Sequence, residues 1–408
     1  MTSALRVTGA LVIGMACGGA RAWAELPNQP QVDPQRIRVA IAQQAPQIDV
    51  AVNGRFRILA LRPNEGTAGA LREGNRLRTL SIRAEQGGIA IGEEVVPVGG
   101  LLLEPGRGAT VTLNGQRLRG ALEILRQQDV TLLVINHVEL EDYLRGVLSK
   151  EAPHQWPMEA LKALAIVART YAVFQRLSKD SPTHDVSSDV MSQVYGGKNA
   201  ERSRTSRAVH QTAGLILTYQ DQIFPTYYHS TCGGKTEHGS AMGPFDLQPL
   251  RGGVSCSFCA ASPFFRWQRR LSKADLAWAV TKAGRGSIWP VEDLRIVKYT
   301  PNGRVASLQI VGTRTVELSG SEFRRMLGFS ELRSTQFAVV PDGDGFILQG
   351  RGWGHGVGLC QWGTAELARR GLSAAEILAF YYPGSTMARL GERPVQLIPT
   401  KEIEKRSL

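Results

Sequence analysis

Between Arg36 and Val134 the apolar residues come in short runs that alternate with polar ones. "RIRVAIA", "FRILAL", "LSIRA", "GIAIG", "ATVTL" and "VTLLVI" are separated by Gly, Pro and Asn. A period of two bounded by turn residues predicts strands. The period then lengthens. Leu140, Tyr143, Leu144, Val147 and Leu148 form one stripe of a helix over about 138–151. Leu161, Leu164, Ala165, Ala168 and Ala172 mark the buried face of a second helix, about 157–178. Pro157 suits its first position and Glu159 its positive first turn. A loop-rich stretch with short strands follows, about 180–270. "LSKADLAWAVTKAG" predicts a helix, and "LRIVKYTPNGRVASLQIVG" a hairpin turning at Pro301-Asn302-Gly303. A helix near 320–328 leads to a second hairpin, "FAVVPDGDGFILQGRG". "GRGWGHGVGLCQWG" opens a helix to about Arg370. "SAAEILAFYYPG" forms the last helix, with Ser373 and Glu376 spaced as a capping box. There is no internal repeat, and strands and helices are mixed without regular alternation, which predicts an α+β fold.

Composition adds a partner class. A chain of 408 residues, 43% hydrophobic with seven Trp, buries a sizeable core, which excludes a disordered protein. The net charge of +12 is spread along the chain and suits an anionic polymer: nucleic acid, membrane surface or bacterial cell wall. No nucleic-acid-binding motif is present, so nucleic acid is not an expected partner.

The N-terminus "MTSALRVTGALVIGMACGGARAWAEL" has an early arginine, an apolar run to about Cys17, and small residues up to Ala22-Trp23-Ala24. That pattern predicts a signal peptide, residues 1–24, and an exported protein. The apolar run is shorter than the ~20 residues that span a bilayer. No later segment is long enough either, so no transmembrane helix is expected in the mature protein. A lipoprotein signal at Cys17 fits poorly, because Gly14 stands where an aliphatic residue is required.

Glu151 is the first candidate reagent. It continues the apolar stripe of the first helix, four residues after Val147. A carboxylate there loses hydration and meets the negative helix end; both raise its pKa, as a general acid requires. The alternative ends the helix at Leu148 and leaves Glu151 in water before Pro153. Arg169 lies at the edge of the second helix's buried face and needs an anionic partner. It is either an ordinary paired arginine or, in a helix hairpin, a support for Glu151 or an anionic substrate group.

The four cysteines after the signal are Cys232, Cys256, Cys259 and Cys360. Cys232 and the Cys256-x-x-Cys259 pair, with His229 or His238, have zinc-compatible spacing. A closed, thiolate-rich set predicts a structural zinc; a Cys256–Cys259 or Cys232–Cys256 disulfide is the alternative in an oxidising compartment. "GWGHGVG" lacks the Gly-Lys-Ser/Thr of a phosphate loop. Its glycines allow close backbone approach to a sugar strand and present Trp353, His355 and Gln361, unless the segment is only a packing loop.

"LEDYLRGVLSKEAP", "WPMEALKALAIVARTYAV", "SQVYGG", "YYHSTCGGKTE", "SPFFRW" and "GRGWGHGVGLCQWGTAELARRG" with "YYPG" resemble, in order and spacing, the SpoIID/LytB family over about residues 120–390. The resemblance implies a SpoIID-like domain with a central helix pair and a groove (120–393); the strand pattern before it marks a strand-rich N-terminal region (25–119), and the polar residues after it an unstructured tail (394–408). It implies a peptidoglycan lytic transglycosylase acting on glycan strands freed of stem peptides, or an amidase enhancer that partners a cell-wall amidase. The family's catalytic acid falls on Glu151 and its supporting arginine on Arg169. Tyr228, Ser230, His355 and Gln361 become groove residues. In lytic cleavage one carboxyl protonates the glycosidic oxygen, then deprotonates the muramic 6-hydroxyl to close a 1,6-anhydro ring. Hydrolases generally use two carboxylates, and no second one is evident here. Some relatives place metal ligands before "QVYGG"; Ser187, Met191 and Ser192 stand there instead. That leaves the downstream cysteines as the metal candidate. A zinc hydrolase centred on His229 is disfavoured by its sulfur-rich ligands.

Overall fold

Alternation builds the N-terminal part into two antiparallel-rich sheets. The computed structural model describes residues 35–63, 70–178, 181–189, 192–392 and 396–398. One sheet has six strands in the spatial order 116–118, 110–113, 47–53, 77–85, 88–91 and 94–96. Its strand Gln47–Asn53 alternates strictly, with Ile48, Val50 and Val52 buried. The other sheet has seven strands, ordered 186–187, 36–45, 132–139, 121–126, 98–105, 56–63 and 70–74. Strand Ala121–Arg126 pairs antiparallel with Val98–Pro105, Leu122 opposite Leu103. The boundary expected near residue 120 therefore falls inside a sheet, and every described residue belongs to one compact unit, Pro34–Leu408. The expected signal peptide, 1–24, lies outside the described residues.

Strand Leu132–Glu139 runs straight into helix α1 (Leu140–Glu151), whose first-turn Glu141 and Asp142 meet the positive end of the dipole. α1 stops where the sequence says it must. Ala152 turns extended because it precedes Pro153, and Glu151 is the last helical residue. α2 (Met158–Ser178) is buried without interruption from Ala163 to Phe174 and forms the axis of the domain. Against it pack α4 (Ser203–Gln211), α7 (Gln361–Arg369) and α8 (Ala374–Tyr381). A one-turn α3 (Gly197–Ala200) packs on α1. The loop-rich reading of 180–270 missed α4, which has Arg202 in place of a capping side chain and only Thr205, Ala208 and Val209 buried.

Residues 266–351 form a lobe with its own core around Trp267, Leu276, Leu308, Phe323 and Leu348. It comprises two three-stranded sheets with α5 (Lys273–Lys282) and α6 (Gly320–Leu327). Both expected hairpins are there, 293–299 with 305–311 and 337–342 with 345–351. The capping box on α8 forms as its spacing predicts. In the tail expected to be polar and unstructured, Gln396–Leu397 pairs with Gln222–Ile223. The fold is α+β. Among the described residues no helix is long and apolar enough to cross a membrane.

Candidate functional site

Glu151 ends α1 partly buried, and each of its oxygens is held. Val194 N–H donates to Oε1 at 3.2 Å, and Gln361 Nε2 donates to Oε2 at 3.0 Å. Burial raises its pKa, outweighing the two donors, which pull it down. Of the two sequence readings, the helix does reach Glu151 and the carboxyl does lose solvent. Among the described residues no acceptor sits on either oxygen, so a proton on Glu151 has no protein group to bond.

The second layer comes from "SQVYGG". Gln193, fully buried, receives the Tyr143 hydroxyl at 3.0 Å and donates to Ala168 O and to the Tyr228 hydroxyl at 3.2 and 3.0 Å. Burial, then the neighbouring Glu151 charge, holds the Tyr228 phenol well above its ordinary pKa, so it stays protonated. The segment is seated by Tyr195, which lies on Gly146 of α1; a Cβ there would come within 2.6 Å of its ring. Gln193 and Val194 lie inside the "SQVYGG" segment, but neither residue type signals a role by itself.

Arg169 does not reach Glu151. Its guanidinium is fully buried and closes a bidentate pair with Glu141, both contacts 2.7 Å, with Leu215 O at 3.0 Å as a further acceptor. The cause is geometric: Glu141 and Glu151 stand ten residues apart on α1, about 15 Å at 1.5 Å per residue. α2 returns antiparallel, which sets Arg169 against the far end. The expected support for the carboxyl is thus an internal ion pair between the two helices.

The groove candidates sit on a small parallel pairing of Tyr228–His229 with Leu359–Cys360, extended by a bridge from Thr231 to Trp353. The glycines between are needed there. At Gly354 (φ +113°) a Cβ would lie 2.6 Å from His229 Cβ, and at Gly356 (φ +89°) 2.4 Å from the Arg304 guanidinium. His355 Nδ1 accepts Val357 N–H at 3.1 Å, so Nε2 carries the proton and donates to Tyr228 O at 2.9 Å. Burial, with Arg324 and Arg304 nearby, pushes its pKa down to about 3. His355 is a neutral brace for Tyr228. Ser230 O accepts Trp362 N–H at 3.1 Å, which ties the strand to α7.

The ligating cluster also differs from the sequence reading. Cys232, Cys256, Cys259 and Cys360 are free and buried, their sulfurs all within 4.8 Å of one another; Cys360 completes the set and neither histidine belongs to it. His229 Nδ1 donates to Val357 O at 3.1 Å, and burial holds its pKa well down. His238 caps a short turn through Ser240 N–H at 3.0 Å. Four sulfurs at about 2.3 Å from a zinc stand about 3.8 Å apart, and Cys232 and Cys259 are 3.4 Å apart. These thiols can coordinate a metal ion, in a closed set that suits zinc or an iron–sulfur centre. Upstream, Ser187 donates to Asp189 at 2.9 Å, and Met191 lies outside the described residues.

The family model for stage II sporulation protein matches residues 128–219. A protein of Brachyspira hyodysenteriae, uncharacterized by its name, is 31% identical over 85% of this chain and 91% of its own length. Stage II sporulation protein D of Bacillus subtilis is 29% identical over 62% of this chain and 76% of its own. The amidase enhancer of Bacillus subtilis is also 29% identical, over 60% of this chain but only 40% of its own length. The chain is homologous to SpoIID and amidase-enhancer proteins over these matches. The SpoIID match holds α1, α2, Glu151, Gln193 and Val194, whereas Gln361 and the cysteines lie downstream of it. A second model, a domain of unknown function, matches residues 258–358, the lobe with the separate core and its flanks.

Proposed function

We propose that this chain is an exported protein that cleaves peptidoglycan glycan strands as a lytic transglycosylase, with Glu151 as acid and then base. The observation that carries this reading is the partly buried carboxyl with two donors, no acceptor among the described residues and a raised pKa. A protonated Glu151 gives its proton to the glycosidic oxygen that leaves the muramic anomeric carbon. The resulting carboxylate, already met by Val194 N–H and the Gln361 amide, then takes the proton of the same sugar's 6-hydroxyl. That oxygen attacks the anomeric carbon and closes the anhydro ring, and no water is consumed. Tyr228, kept protonated, is a donor beside the same carboxyl. Arg169 holds α1 to α2 through Glu141. A cation on the four cysteines would serve structure, since four sulfurs leave no coordination position for substrate.

The family link alone speaks more for a second reading, a peptidoglycan-binding amidase enhancer that uses the same groove without turnover and acts with a cell-wall amidase. Digestion of peptide-free glycan strands separates the two. Mass spectrometry should find 1,6-anhydro-muramic ends with wild type and not with Glu151→Gln. Product-free digests from both proteins, with strand binding intact, replace the enzyme reading with the enhancer reading.

A further inference from the structure

The cysteine cluster and Glu151 are joined through two consecutive residues. Cys360 contributes its sulfur to the cluster, and the next residue, Gln361, opens α7 and holds Glu151 Oε2. Cys232 N–H donates to Cys360 Sγ at 3.3 Å, and His229 pairs with Cys360 across the strand that carries Tyr228. The four sulfurs come from three separate segments, the end of the Leu359–Cys360 strand, the residues after its partner Tyr228–His229 and the 256–259 turn, so their common anchor decides how those segments sit on one another.

Charge gives an independent sign of what the cluster holds. Arg304 reaches in from the 266–351 lobe and is 2% exposed. Its guanidinium donates to Cys232 O at 3.0 Å and Gly354 O at 3.3 Å, and Nε has no partner. Among the described residues no carboxylate lies within 4.0 Å of it. The nearby acid, Glu237, bonds Thr300 at 2.6 Å, Asn302 at 3.0 Å and His238 N–H at 2.8 Å, so it favours the charged Arg304 through space, ahead of Cys232 and Cys360, without contacting it. A buried guanidinium without a contacting anion is costly. Four thiolates around a divalent cation carry a net charge of −2, and the cluster lies just beyond the Cys232 carbonyl that Arg304 grips.

We propose that Cys232, Cys256, Cys259 and Cys360 bind one zinc-class divalent cation, with Arg304 as counter-charge, and that its occupancy positions Gln361 and thereby Glu151. Binding exchanges thiol protons for the cation. Cys360 and Arg304 are positioning residues; neither touches substrate. The effect on turnover rests on the transglycosylase reading, whereas the positioning itself does not.

The test uses the full chain, purified without added reductant. Metal analysis should find about one zinc per chain. After chelation, amide exchange should speed by about tenfold at 359–363 and at Val194, stay unchanged in the sheets before residue 120, and recover on adding zinc chloride. Arg304→Met should weaken zinc binding by about tenfold, with Arg304→Lys restoring most of it. Zinc-free protein holding two disulfides, or exchange at 359–363 indifferent to chelation, overturns the proposal. Zinc-dependent exchange without anhydro products in either state keeps it and removes the transglycosylase reading. Turnover with zinc-indifferent exchange does the reverse.

Discussion

Gln361 donates to Glu151 at 3.0 Å across 210 positions of sequence, and that bond lowers the pKa that burial raises. Removing it leaves burial less opposed. Gln361→Leu should move the alkaline limb of kcat/KM for strand cleavage to higher pH, because the acid keeps its proton longer. A limb that stays in place or moves to lower pH shows that Gln361 does not tune this carboxyl.

Glu151 also links pH to stability. A carboxyl whose folded pKa lies above its unfolded value of 4.5 costs nothing while both states are protonated. As pH rises past 4.5, the unfolded chain ionises first and stability falls until the folded group ionises too. Glu151→Gln should therefore leave Tm unchanged below about pH 4 and raise it by about 2 °C at pH 8. Strand cleavage should fall by about 10²- to 10⁴-fold, the usual contribution of a general acid. Equal Tm differences at both pH values contradict the buried-carboxyl argument.

Arg169 and Glu141 lend themselves to a double-mutant cycle. Glu141→Gln leaves a buried guanidinium unneutralised and costs about 3–5 kcal/mol, whereas Arg169→Met leaves a carboxylate that water can reach and costs less. The double variant should recover part of that loss, because no unpaired charge remains. Denaturant unfolding measures all three. The Glu151 pH limb should not move in the least damaging variant that still turns over; a moved limb restores Arg169 to the site.

Legibility followed range. The helix pair, both hairpins and the capping box of α8 rest on periodicity and turn residues within some twenty positions, and the sequence carries those; it leaves Glu151 open between a buried stripe and a helix ending at Leu148, which only the fold decides. The pattern around Arg169 calls for an anion, but choosing Glu141 over Glu151 requires the antiparallel return of α2. Cys360 stands apart from the other cysteines in sequence because 100 residues, the lobe with its own core among them, lie between it and Cys259. Spacing favours a histidine close in sequence as fourth ligand, whereas the pairing of His229 with Cys360 brings the distant thiol in. Gln193 and Val194 carry no chemistry of their own, and only their contacts mark them.

His355 and the acid limb of stability provide the last test. Its folded pKa, down to about 3, lies below the ordinary 6.5, so the unfolded chain protonates first as pH falls. Its contribution is complete above 6.5 and is lost on the way down to about 3, at about 1.4 kcal/mol per pH unit. His229, held well below its ordinary pKa, adds a slope of the same sign. His355→Gln removes the titrating group while keeping a donor for Tyr228 O. Between pH 6 and 4 its unfolding free energy should fall less steeply than that of wild type, by about that amount per unit. Parallel slopes in urea titrations at several pH values indicate that His355 is protonated in the folded protein, and its role as a neutral brace for Tyr228 then fails.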